Sequence, residues 1–424
     1  MMPLRAALLS VGDELVLGTS LDTNSRAIAL ALRDAGVEVA EHRTVADDLD
    51  AIVEAMRALA ARHDVLVSTG GLGPTDDDLT RDALNVILDD GAPQVEDAQA
   101  RADLEAWFAG RGRPMAGINL RQSLRPRSAR IVRNREGTAP GLSAVVGGCR
   151  VWCLPGPPRE MLPMLESGVL GALRSGAAPA IVRRGIGTYG IGESALAERL
   201  GERMARGREP SVGTTASGSV VTIQVVARGA DAAERAADEV RACAAIADPW
   251  SFGTDDATLA SSLLDACRAR RRTLAVAESC TGGLVGSMLT AVAGSSDVFM
   301  GGWITYANAA KHRDLGVPTA LLSAHGAVSA QVVEAMARGA CARADADVAI
   351  AISGIAGPGG ASEGKPVGTV WIGVHDGRSG EGRTRRFVFP GGREVVRDRA
   401  AKSAMQMARW MVLGVDGTLI WEQR

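Results

Sequence analysis

The sequence predicts an α/β chain, with a three-layer α/β/α domain at each end and a small α+β domain between them. Three observations carry this. Short apolar runs alternate with helix-length amphipathic runs in both outer parts of the chain, the rhythm of a parallel sheet covered by helices. The apolar runs stop at polar, glycine-rich loops, where ligands bind in sheets of this kind. A length of 424 residues is enough for two or three separate cores. The boundaries expected are 1–172, 173–255 and 256–424.

In the first domain Ala6 to Val11 reads as a strand. Asn24 to Ala35 reads as a helix opened by Asp22-Thr23 and stopped by Gly36. Val37 to Ala40 is a second strand, Asp50 to Ala61 a helix, Val65 to Thr69 a third strand and Thr80 to Leu88 a helix. Two polar loops fall at strand ends. One is Gly12-Asp13-Glu14. The other runs from Thr69 to Thr80, where Gly70, Gly71 and Gly73 let backbone approach a ligand and Thr75 and Thr80 offer hydroxyls. Asp76, Asp77 and Asp78 add hard oxygen ligands, suited to a Mg²⁺-bridged phosphate because that metal keeps waters and takes only one or two carboxylates. The same acids equally suit a capped helix start.

Arg111 to Arg135 holds eight Arg and no Asp or Glu. Without interleaved aromatics it lacks the stacking platform of a single-strand nucleic-acid binder and reads as a solvated, salt-bridged face. The turns Asn134 to Gly141 and Leu154 to Met161 can close the same pocket as the two loops. A small-residue linker is expected at 172–178. It is followed by a strand near Ala180 to Ile186, a helix opened by Gly190 to Ser194, a strand Val220 to Ala227 and a helix Ala232 to Ala245. This middle unit carries few catalytic side chains and reads as a spacer.

In the last domain the apolar run Leu274 to Ala277 leads into Glu278-Ser279-Cys280-Thr281-Gly282-Gly283, and a helix-like run follows to about Ala291. Such a strand-to-helix turn exposes the Ser279 hydroxyl, while the N–H groups of Thr281, Gly282 and Gly283 and of the helix start point at one spot. There they can hold an oxyanion or a phosphate. Val298 to Tyr306 reads as a strand, and the next helix carries Lys311. Of 47 basic residues only Lys311, Lys365 and Lys402 are Lys. A Lys retained against such a bias suits chemistry that Arg cannot do, namely losing its proton to serve as base to a Ser. Cys280 is a rival nucleophile. A helix Ala330 to Arg343 and a strand Val348 to Ser353 precede the loop Ser353 to Gly360, in which Ser353, Gly354 and Gly357 can receive a phosphate. Strands Val367 to Val374 and Arg385 to Phe389 and a long helix close the chain.

The net charge is −2 and the pI about 6.3, so the chain as a whole has no excess positive field for nucleic acid. Its expected partners are small molecules. The six Cys are scattered as in a reduced cytosolic protein. Asp13 and Glu14 end the first apolar run without a cleavage site, and no apolar stretch reaches the roughly 18 residues of a membrane helix. A cytoplasmic protein without membrane contact is expected.

Five stretches, Ala277 to Gly283, Thr305 to Lys311, His325 to Ser329, Ser353 to Pro358 and Lys365 to Val370, together resemble the C-terminal domain of the competence/damage-inducible CinA family. Val11 to Leu15, Asp22 to Ser25, Thr69 to Thr80, Gly137 to Gly141 and Leu154 to Met161 resemble its N-terminal half, and Gly190 to Ser194 its middle domain. The resemblance spans nearly the whole chain in family order. It implies pyridine nucleotide recycling. The C-terminal domain is similar to nicotinamide mononucleotide deamidases, which release ammonia and nicotinic acid mononucleotide. On that pattern Ser279 is the nucleophile, Lys311 the base and Tyr306 a neighbour, with no cofactor. The N-terminal domain resembles molybdopterin-binding folds that act in this family as metal-dependent ADP-ribose pyrophosphatases. This implies a metal-dependent site in the strand-end loops, where the candidate substrate contacts are Asp13, Glu14, Asn24, Gly70, Gly71, Gly73, Thr75 and Thr80, and where the spacing of the carboxylates offers Asp77 and Asp78, with Asp13 as a further candidate, to a Mg-type divalent metal. A homodimer is also implied. Ala309 and Arg159 depart from the family pattern without touching the nucleophile. The alternatives are a pterin- or nucleotide-binding module without turnover, and a DNA-uptake factor, which the charge balance opposes.

Overall fold

The computed structural model describes residues 4–173 and 181–423. The chain forms two compact units that divide at Ile181/Val182, with Arg228–Ala230 counted in the first. From residue 174 on, the expected linker lies outside the described residues.

The first unit is built on a six-stranded sheet in the order Glu38–Val45, Arg5–Val11, Val65–Thr69, Cys149–Leu154, Gly141–Val146, Arg130–Val132. The first three pairings are parallel and the last two antiparallel. Residues of the strand Arg5–Val11 serve opposite faces in turn. Ala7 and Leu9 pack with Ile52, Met56 and Leu84, and Ala6 and Leu8 with Ile28, Leu32 and Met161. An uninterrupted apolar run is what a strand buried on both faces requires. Helix Thr23–Asp34 starts where Asp22 accepts the Ser25 N–H at 2.8 Å, and Asp48 caps Leu49–Ala60 in the same way. Helix Ala98–Ala109 lies where the sequence suggests no element, because only Ala100 and Leu104 of it are buried and no apolar stripe marks it. The Arg-rich stretch is a salt-bridged face: Arg121, Arg125 and Arg133 pair with Asp82, Asp97 and Asp103, all supplied by other segments.

The second unit contains a second six-stranded sheet in the order Phe299–Ile304, Leu274–Glu278, Val348–Gly354, Thr369–Asp376, Gly382–Val388, Glu422–Gln423. Its first two pairings are parallel and the rest antiparallel. Helix Ala330–Ala344 covers one face, with Val333, Met336 and Ala340 against Ala275, Ala277 and Ala351. Helices Leu259–Ala269 and Arg393–Leu413 cover the other. A four-stranded sheet, ordered Ser211–Ser217, Val220–Arg228, Ile181–Tyr189, Ser251–Thr254, carries the helices Glu193–Leu200 and Ala232–Ile246. Its Ser211–Ser217 strand is absent from the sequence expectation. The buried Tyr189 ties this sheet to the closing helix, its hydroxyl 2.9 Å from the Arg399 carbonyl and 3.0 Å from Ser403 Oγ.

Candidate functional site

The strand Leu274–Glu278 is buried at every position. Its neighbour Phe299–Ile304 runs parallel, so both strands end at the same edge, where the Thr305 N–H donates to the Glu278 carbonyl at 2.8 Å. The chain then turns into helix Asn308–Leu315, whose second turn lays Lys311 back over the end of the first strand. Lys311 is 1% exposed. Its Nζ lies 3.1 Å from Ser279 Oγ, 2.7 Å from the Thr305 carbonyl and 3.4 Å from the Tyr306 carbonyl. No carboxylate pairs with it among the described residues, and burial lowers its pKa from the ordinary lysine value. A neutral amine has two N–H bonds and one lone pair. With Nζ donating to the two carbonyls, its third position donates to the Ser279 hydroxyl when the group is charged and accepts from it when neutral.

Glu278 departs from the expected use of the turn. It is 1% exposed, and its carboxylate accepts the N–H groups of Gly283 at 3.0 Å, Val285 at 3.2 Å and Gly286 at 2.9 Å. The start of helix Leu284–Thr290 is therefore occupied by a side chain, so the expected anion contact at Gly283 is already taken. The Gly282 N–H closes the turn on the Ser279 carbonyl at 3.1 Å. Among the described residues the N–H groups of Cys280 and Thr281 have no such partner. Burial pushes the Cys280 thiol up to about 12, which disfavours its thiolate at neutral pH.

Two arginines of the closing helix reach this edge of the sheet, one of them bonding to the turn itself. Arg397 donates to the Thr281 carbonyl at 2.7 Å. Arg393 donates to the Gly357 carbonyl at 3.0 Å and to the Tyr306 hydroxyl at 3.2 Å, joining the Ser353–Gly360 loop to the strand end. Tyr306 is 61% exposed, so what it offers Lys311 is its carbonyl, while its phenol lies on Arg393. The Ser353 hydroxyl is already spent on the Ala327 carbonyl at 2.7 Å. Gly354 has no room for a Cβ beside Val370.

In the first unit the ends of the parallel strands open on a cavity of about 510 Å³. Gly12, Glu14, Asn24, Gly70, Gly71 and Gly73 line it, as do Thr138, Pro155 and Glu160 from the two turns. Gly70 and Gly71 take φ of +99° and +64°, and a Cβ on Gly71 would strike the Thr80 hydroxyl. Asn24 Nδ2 donates to the Gly156 carbonyl at 2.7 Å. Asp78 is a loop-closing residue: its carboxylate accepts the Gly73 N–H at 2.8 Å, the Thr75 N–H at 2.9 Å and the Thr75 hydroxyl. Each oxygen of this expected metal ligand therefore already accepts at least one hydrogen bond from the loop. Asp77 lines the cavity, together with Asp47, which the sequence did not single out. Asp47 and Asp13 each accept the other's backbone N–H, at 2.9 and 3.1 Å. The Asp47 carboxyl is raised above the usual range by burial and by the charges of Asp13, Glu14 and Asp77, against the hydrogen bond from Asp13. Among the described residues no three His, Cys, Asp or Glu side chains gather into a ready metal cage.

Family models match the chain in sequence order. They are the probable molybdopterin binding domain over residues 7–175, the damage-inducible protein CinA KH domain over 183–247 and the CinA C-terminal domain over 256–412. A putative competence-damage inducible protein of Symbiobacterium thermophilum is 43% identical over 423 residues, covering 96% of this chain and 99% of its own length. The chain belongs to the CinA family. A second relative, the putative competence-damage inducible protein of Moorella thermoacetica, is 41% identical over 95% of this CinA chain and 98% of its own. Among solved structures, the competence/damage inducible protein CihA of Agrobacterium tumefaciens is 41% identical. It covers 35% of this chain and 90% of its own, with a TM-score of 0.34.

Within this CinA chain, the structure thus brings Ser279, Lys311 and Thr281 together. The parallel pairing of Leu274–Glu278 with Val348–Gly354, continued by the Ser279 N–H donating to the Ile352 carbonyl at 3.0 Å, brings the Ser353–Gly360 loop to the same edge, and Arg393 ties Gly357 there. Arg393, Arg397, Glu278 and Asp47 escape sequence reasoning, the two arginines because Arg is the default cation of this chain. All six Cys are free and buried. No helix among the described residues is long and apolar enough to cross a membrane.

Proposed function

We propose that the second unit hydrolyses the carboxamide of nicotinamide mononucleotide to nicotinic acid mononucleotide and ammonia. The observation that carries this reading is the buried Lys311 amine, without a counter-charge, 3.1 Å from the Ser279 hydroxyl. Lys311 takes the Ser279 proton, and Oγ bonds to the carboxamide carbon. The oxyanion is met by the N–H groups of Cys280 and Thr281, each worth on the order of 3 kcal/mol in the barrier. The C–N bond breaks as Lys311 returns the proton to nitrogen, and ammonia leaves. Water then attacks the acyl-enzyme, with Lys311 taking its proton and handing one to Ser279. The family resemblance suggests the substrate, and Arg393 and Arg397 supply cations suited to its phosphate. Ammonia release from nicotinamide mononucleotide tests the reading. Ser279→Ala is expected to lose at least about a thousandfold, whereas Cys280→Ala keeps turnover. Ammonia release that survives Ser279→Ala and disappears in Cys280→Ala reverses the assignment.

The crowding of carboxylates around Asp47 favours a second activity, cleavage of the pyrophosphate of ADP-ribose in the first-unit cavity. Because Asp78 closes its own loop, we assign a divalent cation to Asp47 and Asp77, two of the other carboxylates that line the cavity. Bound there, such a cation would neutralise charge developing on the phosphate. The glycine loop seats the phosphate, and Asn24 and Glu160 border the remainder. Asp47→Asn is expected to abolish AMP release from ADP-ribose while ammonia release from nicotinamide mononucleotide continues. Cleavage that persists in this variant and in chelator removes the metal from the scheme.

A further inference from the structure

Beneath the glycine loop lies a cation that neither reading uses. Arg81, in the first turn of helix Thr80–Asp89, is 1% exposed. Its Nη2 donates to the Leu72 carbonyl at 2.9 Å, and its Nη1 is buried with no hydrogen-bond partner among the described residues. No carboxylate pairs with it there. Of its acidic neighbours, Asp82 is paired with Arg121 at 2.6 Å and also accepts from Gln94, and Asp78 is closed on Gly73 and Thr75. Burial lowers its pKa to about 10, with Asp82 and Asp78 offsetting this in part, so it stays charged at neutral pH. An unpaired buried cation is costly, and a fold keeps one where something else requires the charge.

The loop above it has an unusual polarity. Three successive carbonyls are tied back to the helix: Gly70 to the Thr80 hydroxyl at 2.8 Å, Gly71 to the Thr80 N–H at 3.0 Å and Leu72 to Arg81. The Gly70 N–H is bound by the Leu154 carbonyl and the Gly73 N–H by Asp78. That leaves the N–H groups of Gly71 and Leu72 without partners among the described residues, on two residues that line the cavity. With carbonyls withdrawn and amides free, the loop has the character of an anion-binding nest.

We infer that Arg81 is a positioning residue for a phosphoryl group seated on the Gly71 and Leu72 amides. It holds the Leu72 carbonyl back toward the helix and places an unpaired positive charge under the loop. This rests on reading the cavity as a pyrophosphate site.

The test is calorimetric titration of the full chain with inorganic pyrophosphate and Mg²⁺, beside thermal unfolding. Wild type is expected to bind, and Arg81→Met to bind at least about tenfold more weakly. The melting temperature of Arg81→Met should change little, because removing an unpaired buried charge offsets the loss of the donor to the Leu72 carbonyl. If Arg81→Met does not fold, Arg81→Gln, which can still donate to Leu72 but is neutral, should show the same loss. The difference should survive raised salt, since a buried charge is poorly screened. Equal affinity in wild type and a folded variant overturns the inference and leaves the cavity reading standing. So does a weakening that tracks lost melting temperature. If wild type does not bind pyrophosphate, both fall together.

Discussion

Lys311→Arg is expected to fold and to release no measurable ammonia from nicotinamide mononucleotide. The substitution keeps the charge and removes the ability to lose it, since a guanidinium does not deprotonate in the working range. In wild type the rate should rise with pH through a pKa below the ordinary lysine value of about 10.4 and then level off, because burial lowers the Lys311 pKa. The same shift has a consequence for stability, with a definite sign. Between the lowered folded pKa and the unfolded one, the unfolded chain binds the extra proton. This residue's contribution to stability therefore increases as pH rises through that window and is lost as pH falls. A pH series of both kcat and melting temperature, compared with the Lys311→Met variant, separates the two effects. Near-normal turnover by Lys311→Arg would end the role of Lys311 as a base.

Glu278→Ala is expected to cost both stability and turnover. Its carboxylate is the acceptor for three N–H groups at the start of helix Leu284–Thr290. Leaving a buried donor unsatisfied costs about 1 to 3 kcal/mol, and of the three only the Val285 N–H is buried, so the loss should be of about that size. The residue also directly precedes Ser279, so the freed turn no longer holds Oγ against Lys311 Nζ, and kcat should fall about a hundredfold. Glu278→Gln, which keeps one acceptor oxygen but turns an amide NH₂ toward the same donors, should fall between. Chemical unfolding and single-turnover ammonia release check the order. A Glu278→Ala protein with wild-type stability and kcat would show that Glu278 merely fills space.

The alternation of apolar and amphipathic runs was enough to determine two helix-covered sheets and to place Gly12, Gly70 and Ser279 at strand ends. Burial on both faces forces an uninterrupted apolar run, and the chain must break that run where it turns. The scarcity of Lys pointed to Lys311, and the structure shows why the other two differ: Lys365 reaches the His325 carbonyl and Lys402 pairs with Asp398, roles open to any cation. What the one-dimensional pattern leaves undetermined is which like residue does which task. Asp77, Asp78 and Asp47 are chemically equivalent on paper. Turn geometry spends Asp78 on the Gly73–Thr75 backbone, and the pairing of neighbouring strands brings Asp47 beside Asp13. Arg393 and Arg397 became neighbours of the Ser279 turn only when the closing helix packed on its sheet face, and Glu278, which reads as the first residue of the turn, proved to hold the N–H groups at the start of the following helix. Hydrogen bonds to backbone and contacts between distant segments depend on direction and distance, and neither is fixed until the sheets have formed.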